Sequence, residues 1–228
     1  MIILSVTEAA IELIRKKIIL GEFAPGEKLI EMKLSSDFNI SRPPLREAFR
    51  VLQQEGQIIS VPRKGIYVRE LSIKEITDIF QFRQLIELDA LRHLEQANIR
   101  KIPEMEKLLV EIKESRFQNS LTPENIYRSQ KLSLNFHKTL VDTLNNSYIS
   151  RNITTLIRNL SRYIYIYFSD AKNSNQAHND HEKIFESIKN GDYQTARKQL
   201  TAHLEVSSKN ISTIVGHILK KPKPSLTK

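Results

Sequence analysis

The chain has 228 residues, no cysteine, and 35 Lys plus Arg against 26 Asp plus Glu, a formal net charge of +9. Disulfides, thiolate metal sites and thiol nucleophiles are thereby excluded, and a pI near 9.6 favours anionic partners such as nucleic acid. A hydrophobic fraction of 40% is that of a chain with globular cores; no apolar run approaches the roughly 20 residues of a membrane span and the first residues lack the basic n-region of a signal peptide, so a soluble cytoplasmic protein is expected.

Ile11, Ile14 and Ile18 recur at helical spacing beside Ala10 and Leu13, which predicts a first helix over 5–20 that Gly21 stops. Residues 23–26 read as a turn. Leu29, Ile30, Leu34 and Phe38 then supply the apolar face of a short second helix. A polar break at Asn39-Ile40-Ser41 leads into a third. Ser41 is a good N-cap, and Pro43 and Pro44 fall in the first turn, where a missing N–H costs little. Leu45, Phe49 and Leu52 make the buried stripe of this helix. Arg42, Arg46 and Arg50 lie at i, i+4 and i+8 on a face the stripe leaves open, and Gly56 ends the helix. Ile58, Ile59 and Val61, then Ile66, Tyr67 and Val68, suggest two strands folded about a turn at 62–65. The order is helix-turn-helix with a basic wing, closing a first domain over 1–70.

From residue 72 onward the periodicity is almost wholly helical. It predicts one helix to about 97, one from Pro103 to about 117, one from Pro123 to about 145, one over 148–168, a short one over 181–189 and a last over 192–219. Tyr163-Ile164-Tyr165-Ile166-Tyr167 alternates like a strand, but Leu156, Leu160, Tyr163 and Tyr167 continue a helical face, which favours helix. The expected architecture is mostly α. An N-terminal winged helix-turn-helix domain is followed by an all-α antiparallel bundle over 71–219 and a basic disordered tail over 220–228.

Within 42–69, six cations (Arg42, Arg46, Arg50, Arg63, Lys64, Arg69) stand against two acids (Glu47, Glu55), a local net charge of +4. Arginine near a helix N-terminus can fork onto guanine in the major groove or clamp a phosphate. Ser41 and the free N–H groups of the helix start suit a phosphate, and Lys64 beside Gly65 gives the wing tip a minor-groove or backbone contact. Arginines at this spacing are more often a plain solvated face, and Arg46 with Glu47 or Arg50 with Glu55 could pair locally. The order helix, turn, helix, wing is what favours DNA.

In the second half, His137, His181 and His203 each stand on a predicted helix with apolar neighbours. Three imidazoles on facing helices could hold a divalent ion such as Zn²⁺. Half-buried histidines satisfied by hydrogen bonds are the plainer alternative. His93, His178 and His217 lack such a context.

The run Ser41-Arg42-Pro43-Pro44-Leu45-Arg46-Glu47-Ala48-Phe49-Arg50, followed by Leu52-Gln53-Gln54-Glu55-Gly56, closely resembles the recognition segment of GntR-family winged helix-turn-helix regulators. Gly26-Glu27-Lys28-Leu29 and Lys64-Gly65 match as well, so the likeness spans about residues 5–70. The resemblance implies that Arg42, Arg46 and Gly65 are DNA-contact positions. It also implies a homodimer on a palindromic operator, with two recognition helices about 34–36 Å apart.

Over about residues 72–215 the chain resembles the FadR-type C-terminal ligand-binding domain, the FCD domain. The matching pieces are Phe82-Arg83-Gln84-Leu85-Ile86-Glu87, Asn135-Phe136-His137, His181-Glu182-Lys183-Ile184, Ala196-Arg197 and His203-Leu204. In many such domains one Asp and three His hold a metal beside a small organic acid. The resemblance places His137, His181 and His203 at the three His positions, whereas Ser133 stands at the Asp position. Serine is a poor metal ligand, so a water or the effector's own carboxylate would complete the shell and affinity should fall. Arg83, Arg158 and Arg162 are candidate anchors for a carboxylate, whose geometry guanidinium matches, although Arg83 and Glu87 at i, i+4 also suit an ion pair.

The combined reading is a transcriptional regulator, with a repressor released by a metabolite as the expected sign. Its N-terminal part reads double-stranded DNA; its helical part dimerises and senses a small acid. A metal-dependent hydrolase competes, since an ion on three histidines with an open position activates water. No carboxylate in HExxH-like spacing stands near these histidines, however, and the basic N-terminal motif would go unused. A purely architectural DNA binder without a ligand is the other competitor.

Overall fold

In the computed structural model, which describes residues 5–117 and 121–220, the chain divides into two units, one up to Glu70 and one from Leu71. The first begins with α1 (Val6–Leu20). The Ser5 hydroxyl accepts from the Glu8 N–H while the Ser5 N–H donates to the Glu8 carboxylate, a capping box that fixes the helix start. Then come β1 (Lys28–Leu29), α2 (Glu31–Asp37), α3 (Arg42–Gln54), β2 (Ile58–Val61) and β3 (Gly65–Val68). The sheet order is β1-β3-β2, antiparallel throughout, with Leu29 opposite Ile66, Ile58 opposite Val68 and Val61 opposite Gly65. Ile14, Leu34, Leu45, Leu52, Ile58 and Val68 share one core. A buried ion pair, Arg15 to Glu55 at 2.6 Å, ties α1 to the end of α3.

Two sequence expectations change here. Leu29 pairs in β1 rather than completing the face of α2, and Ile30 is the N-cap of α2 and 52% exposed. A two-residue strand is too short to show an alternating pattern, and only its partner β3 defines it. Ser41 does occupy the N-cap of α3, with extended backbone, but its side chain makes no capping hydrogen bond. The prolines in the first turn already remove donors that a cap would satisfy.

The second unit consists of α4 (Ile73–Gln96), α5 (Pro103–Phe117), α6 (Pro123–Asp142), α7 (Ser147–Phe168), α8 (Ala171–Lys189) and α9 (Tyr193–Lys220). Side chains of Ser72, Thr122, Asn146 and Asp170 cap α4, α6, α7 and α8. α4 packs on α9, α6 on α7 and α8 on α9, around a single apolar core. Tyr163 and Tyr167, from the alternating stretch, are buried on the inner face of helix α7. α8 starts at Ala171 and not near 181 as the apolar repeat suggested. Its first turns are polar and carry no hydrophobic period, so only the Asp170 cap and the burial of Ala177 and His178 reveal them. His181 is therefore an interior residue of a long helix rather than the opening of a short one. Lys220 closes α9; the rest of the expected tail, 221–228, lies outside the described residues. Among the described residues no helix is long and apolar enough to cross a membrane.

Candidate DNA-reading face and histidine centre

The apolar stripe of α3 fixes which side of that helix faces out. Leu45, Ala48, Phe49 and Leu52 are buried, and this turns Arg42, Arg46 and Arg50 to solvent with Ser41 and Pro43, while Pro44 is half-buried. Arg50 pairs loosely with Glu47 at 3.2 Å, both largely exposed. Arg46 does not pair with Glu47. Its Nε donates to both carboxylate oxygens of Glu31 on α2, at 3.0 and 2.9 Å, and the side chain stays 63% exposed. A cation so held keeps its two η nitrogens for an outside acceptor. At the wing tip, Arg63, Lys64 and Gly65 are exposed. Gly65 has φ 114°, and a Cβ there would stand 3.0 Å from Lys28 Cε, so the turn requires glycine.

In the second unit, α6, α8 and α9 bring His137, His181 and His203 together. Each is buried, and one nitrogen from each lies within 4.8 Å of the others. The ring centroids stand 4.8 to 5.2 Å apart, and Nε2 of His181 is 3.1 Å from Nε2 of His137. Two nitrogens bound tetrahedrally to one ion at about 2.0–2.1 Å stand about 3.3 Å apart, so this pair is close to ligating geometry. The same 3.1 Å separation also suits an N–H···N hydrogen bond between neutral imidazoles. Burial and the Arg83 charge push His137 down to about 4, against the pull of Glu87. Burial and the neighbouring His137 put His181 well below its ordinary value. Both are neutral at pH 7, which is the form that binds a metal. The donor set therefore fits a divalent ion of borderline softness.

Around the histidines the polar groups are unusual. Arg83 is 2% exposed; its Nε donates to Glu87 at 2.8 Å, and its guanidinium lies 4.9 Å from the centroid of the Phe80 ring. Glu87 in turn accepts from His137 Nδ1 at 2.7 Å. Although burial works the other way, Arg83 and His137 hold the Glu87 carboxyl at about 2, so it is ionised. Nη2 of Arg83, Nδ1 of His181 and Oε1 of Gln130 are buried with no hydrogen-bond partner among the described residues.

Ser133 is buried one turn before His137 on α6. Arg162 does not stand free for a ligand: it donates to Glu75 at 3.1 Å, beside Tyr163. Arg158 lies half-buried on the same helix. Sequence reasoning passed over His178, which is 1% exposed, contacts Ser129 Oγ at 3.3 Å and sits edge-on to Phe168. It also passed over Asp180, whose Oδ2 lies 3.3 Å from His203 Nδ1. Asp180 and His203 share the wall of a pocket of about 410 Å³ with Lys183 and Gln199.

An exposed arginine face on a winged helix, joined in one chain to a helical unit with a buried polar centre, defines a DNA-binding regulator with a sensor domain. Residues 6–68 match the family of bacterial regulatory proteins, gntR family, and residues 78–206 match the FCD domain. The chain belongs to the GntR family of transcriptional regulators that carry an FCD effector-binding domain. It is similar to the HTH-type transcriptional regulator YdhC of Bacillus subtilis (strain 168), 27% identical over 92% of this chain and 91% of that one. It is similar too to the HTH-type transcriptional repressor RspR of Escherichia coli (strain K12), 25% identical over 92% of this chain and 90% of that one. A solved GntR regulator from Rhodococcus sp. RHA1 has the same fold, with TM-score 0.77 at 20% identity over 90% of this chain and 96% of that one. Both matched families and the named relatives are regulators, so the hydrolase reading falls and the protein is not an enzyme.

Proposed function

We propose that this regulator is a repressor that binds a palindromic operator as a homodimer and is released by a small organic acid held in the FCD domain beside a divalent metal. Ser41, Arg42, Pro43, Pro44, Arg46 and Arg50 form the major-groove face, and Lys64 with Gly65 the wing contact. His137, His181 and His203 hold the metal, which supplies positive charge to which a carboxylate oxygen can bind. The name of one full-length relative, a transcriptional repressor, supports the sign of regulation.

The observation that carries the sensor reading is Arg83. It is a buried cation whose Nη2 has no hydrogen-bond partner among the described residues, close enough for its charge to act on His137 and His181. A buried donor left unsatisfied costs about 1–3 kcal/mol, more when charged. An anionic ligand would offset that cost. Ser133 in place of aspartate sharpens the preference, because the three imidazoles bring no negative charge of their own. Arg158 and Arg162 are secondary anchors by comparison, since Arg162 is already engaged by Glu75. The acid changes operator affinity only as far as it binds one conformation of the protein better than the other.

The test is fluorescence anisotropy on DNA from the region upstream of the protein's own gene, with a panel of mono-, di- and hydroxycarboxylates, with and without zinc. At least one acid should weaken operator binding tenfold or more in the native protein and leave Arg83→Met unaffected. Specific operator binding with every acid silent, zinc present or not, would leave only the architectural reading.

A further inference from the structure

We infer that Glu87 and Asp180 are positioning residues of the histidine centre, each accepting Nδ1–H from one imidazole and so turning that ring's Nε2 lone pair toward a shared ion. The inference rests on the metal reading proposed above. Glu87, already accepting from Arg83 Nε at 2.8 Å, faces Nδ1 of His137 at 2.7 Å as the acceptor, which puts a proton on Nδ1 and leaves Nε2 as the lone-pair nitrogen of that ring. That Nε2 is the atom that meets His181. The same logic places the proton of His203 on Nδ1, 3.3 Å from Asp180 Oδ2.

Both contacts cross between helices. Glu87 on α4 holds a ring of α6, and Asp180 on α8 holds a ring of α9. Among the described residues nothing hydrogen-bonds His181 Nδ1; its ring stacks on Phe136, centroids 4.3 Å apart at 12°. Ligating histidines characteristically donate their second ring N–H to a carboxylate, which fixes the tautomer and raises ligand basicity. Histidines that merely fill a core need no carboxylates set behind two rings whose nitrogens converge.

The arrangement also answers the loss at Ser133. Carboxylate charge absent from the inner shell returns one bond further out, through the imidazole rings. The two carboxylates are not equivalent. Glu87 is buried and makes the shorter contact, but Arg83 at 2.8 Å neutralises much of its charge, so it acts chiefly by orientation. Asp180 has a 23% exposed side chain and the longer contact, with Gln176 holding its other oxygen at 2.8 Å.

The experiment uses full-length protein stripped of metal. Zinc affinity is read by competition with a chromogenic chelator, and imidazole tautomers by long-range ¹H–¹⁵N NMR. Glu87→Ala and Asp180→Ala should each weaken zinc by about 10–100-fold, Glu87→Ala nearer the upper end. Asp180→Asn, which keeps an acceptor, should recover part of the loss. His203 should show the Nδ1–H tautomer in the native protein and a mixture in Asp180→Ala, whose half-buried position on the pocket wall lets it fold whatever becomes of the Glu87 variant. If the native protein binds zinc, His181→Ala does not, and Asp180→Ala binds as tightly as the native protein with an unchanged His203 tautomer, this inference is wrong while the metal reading stands. A native protein that fails to bind zinc at all overturns both.

Discussion

Arg46 gives the sharpest handle on the DNA-reading face. Its Nε is taken by both oxygens of Glu31 and its η nitrogens are not, and with its side chain 63% exposed they are available to a phosphate. Removing one phosphate contact lowers the slope of log K against log salt by about 0.9, so Arg46→Ala in the proposed dimer, with two copies, should flatten it by about 1.8. Across a fourfold rise in salt, about 0.6 log unit, this amounts to about 1.1 log units, so the affinity deficit should shrink about twelvefold between roughly 50 and 200 mM. Arg46→Ala also leaves the Glu31 carboxylate, 26% exposed, as a bare anion near the duplex. The double variant Glu31→Gln, Arg46→Ala removes that repulsion and isolates the lost phosphate contact. The assay is anisotropy over a salt series with operator and with random duplex. Weakening should be similar on both, because a phosphate contact carries no sequence information. A double variant with the native salt slope would refute the phosphate-clamp assignment.

Arg42→Ala should relax base preference rather than the salt slope if the side chain reads a base edge; competition by operators carrying single base changes measures this, and an intact preference speaks against the role. Leu45 is fully buried beneath the recognition face, so Leu45→Ala should cost about 2–5 kcal/mol in urea denaturation and abolish operator binding with it. Ser133→Asp places an anionic oxygen one turn before His137 and should tighten zinc by about tenfold or more; a titration without gain would mean that position 133 does not reach the ion.

What the amino-acid order determined by itself is local. The stripe Leu45, Phe49, Leu52 implies the solvent face of α3, because a 3.6-residue period fixes both faces at once. The same period, with proline and N-cap signals, located α1, α4, α5, α6, α7 and α9 to within a few residues. It carried the alternating tyrosines into a helix, since burying Tyr163 and Tyr167 together requires that face. Where the pattern was polar or too short, it was silent: the start of α8 holds by an aspartate cap and by packing of Ala177 and His178, and β1 exists only through β3.

Tertiary structure alone decided which distant side chains meet. Arg46 is engaged by Glu31, fifteen residues away in sequence, and not by the adjacent Glu47. Arg162 goes to Glu75 across 87 positions. His137, His181 and His203 converge because α6, α8 and α9 pack around one core, and that packing also sets Glu87 and Asp180 behind two of the rings. Periodicity states that a residue faces inward; its partner depends on the register and crossing of neighbouring helices, a sum over many small contacts that no short stretch of sequence contains.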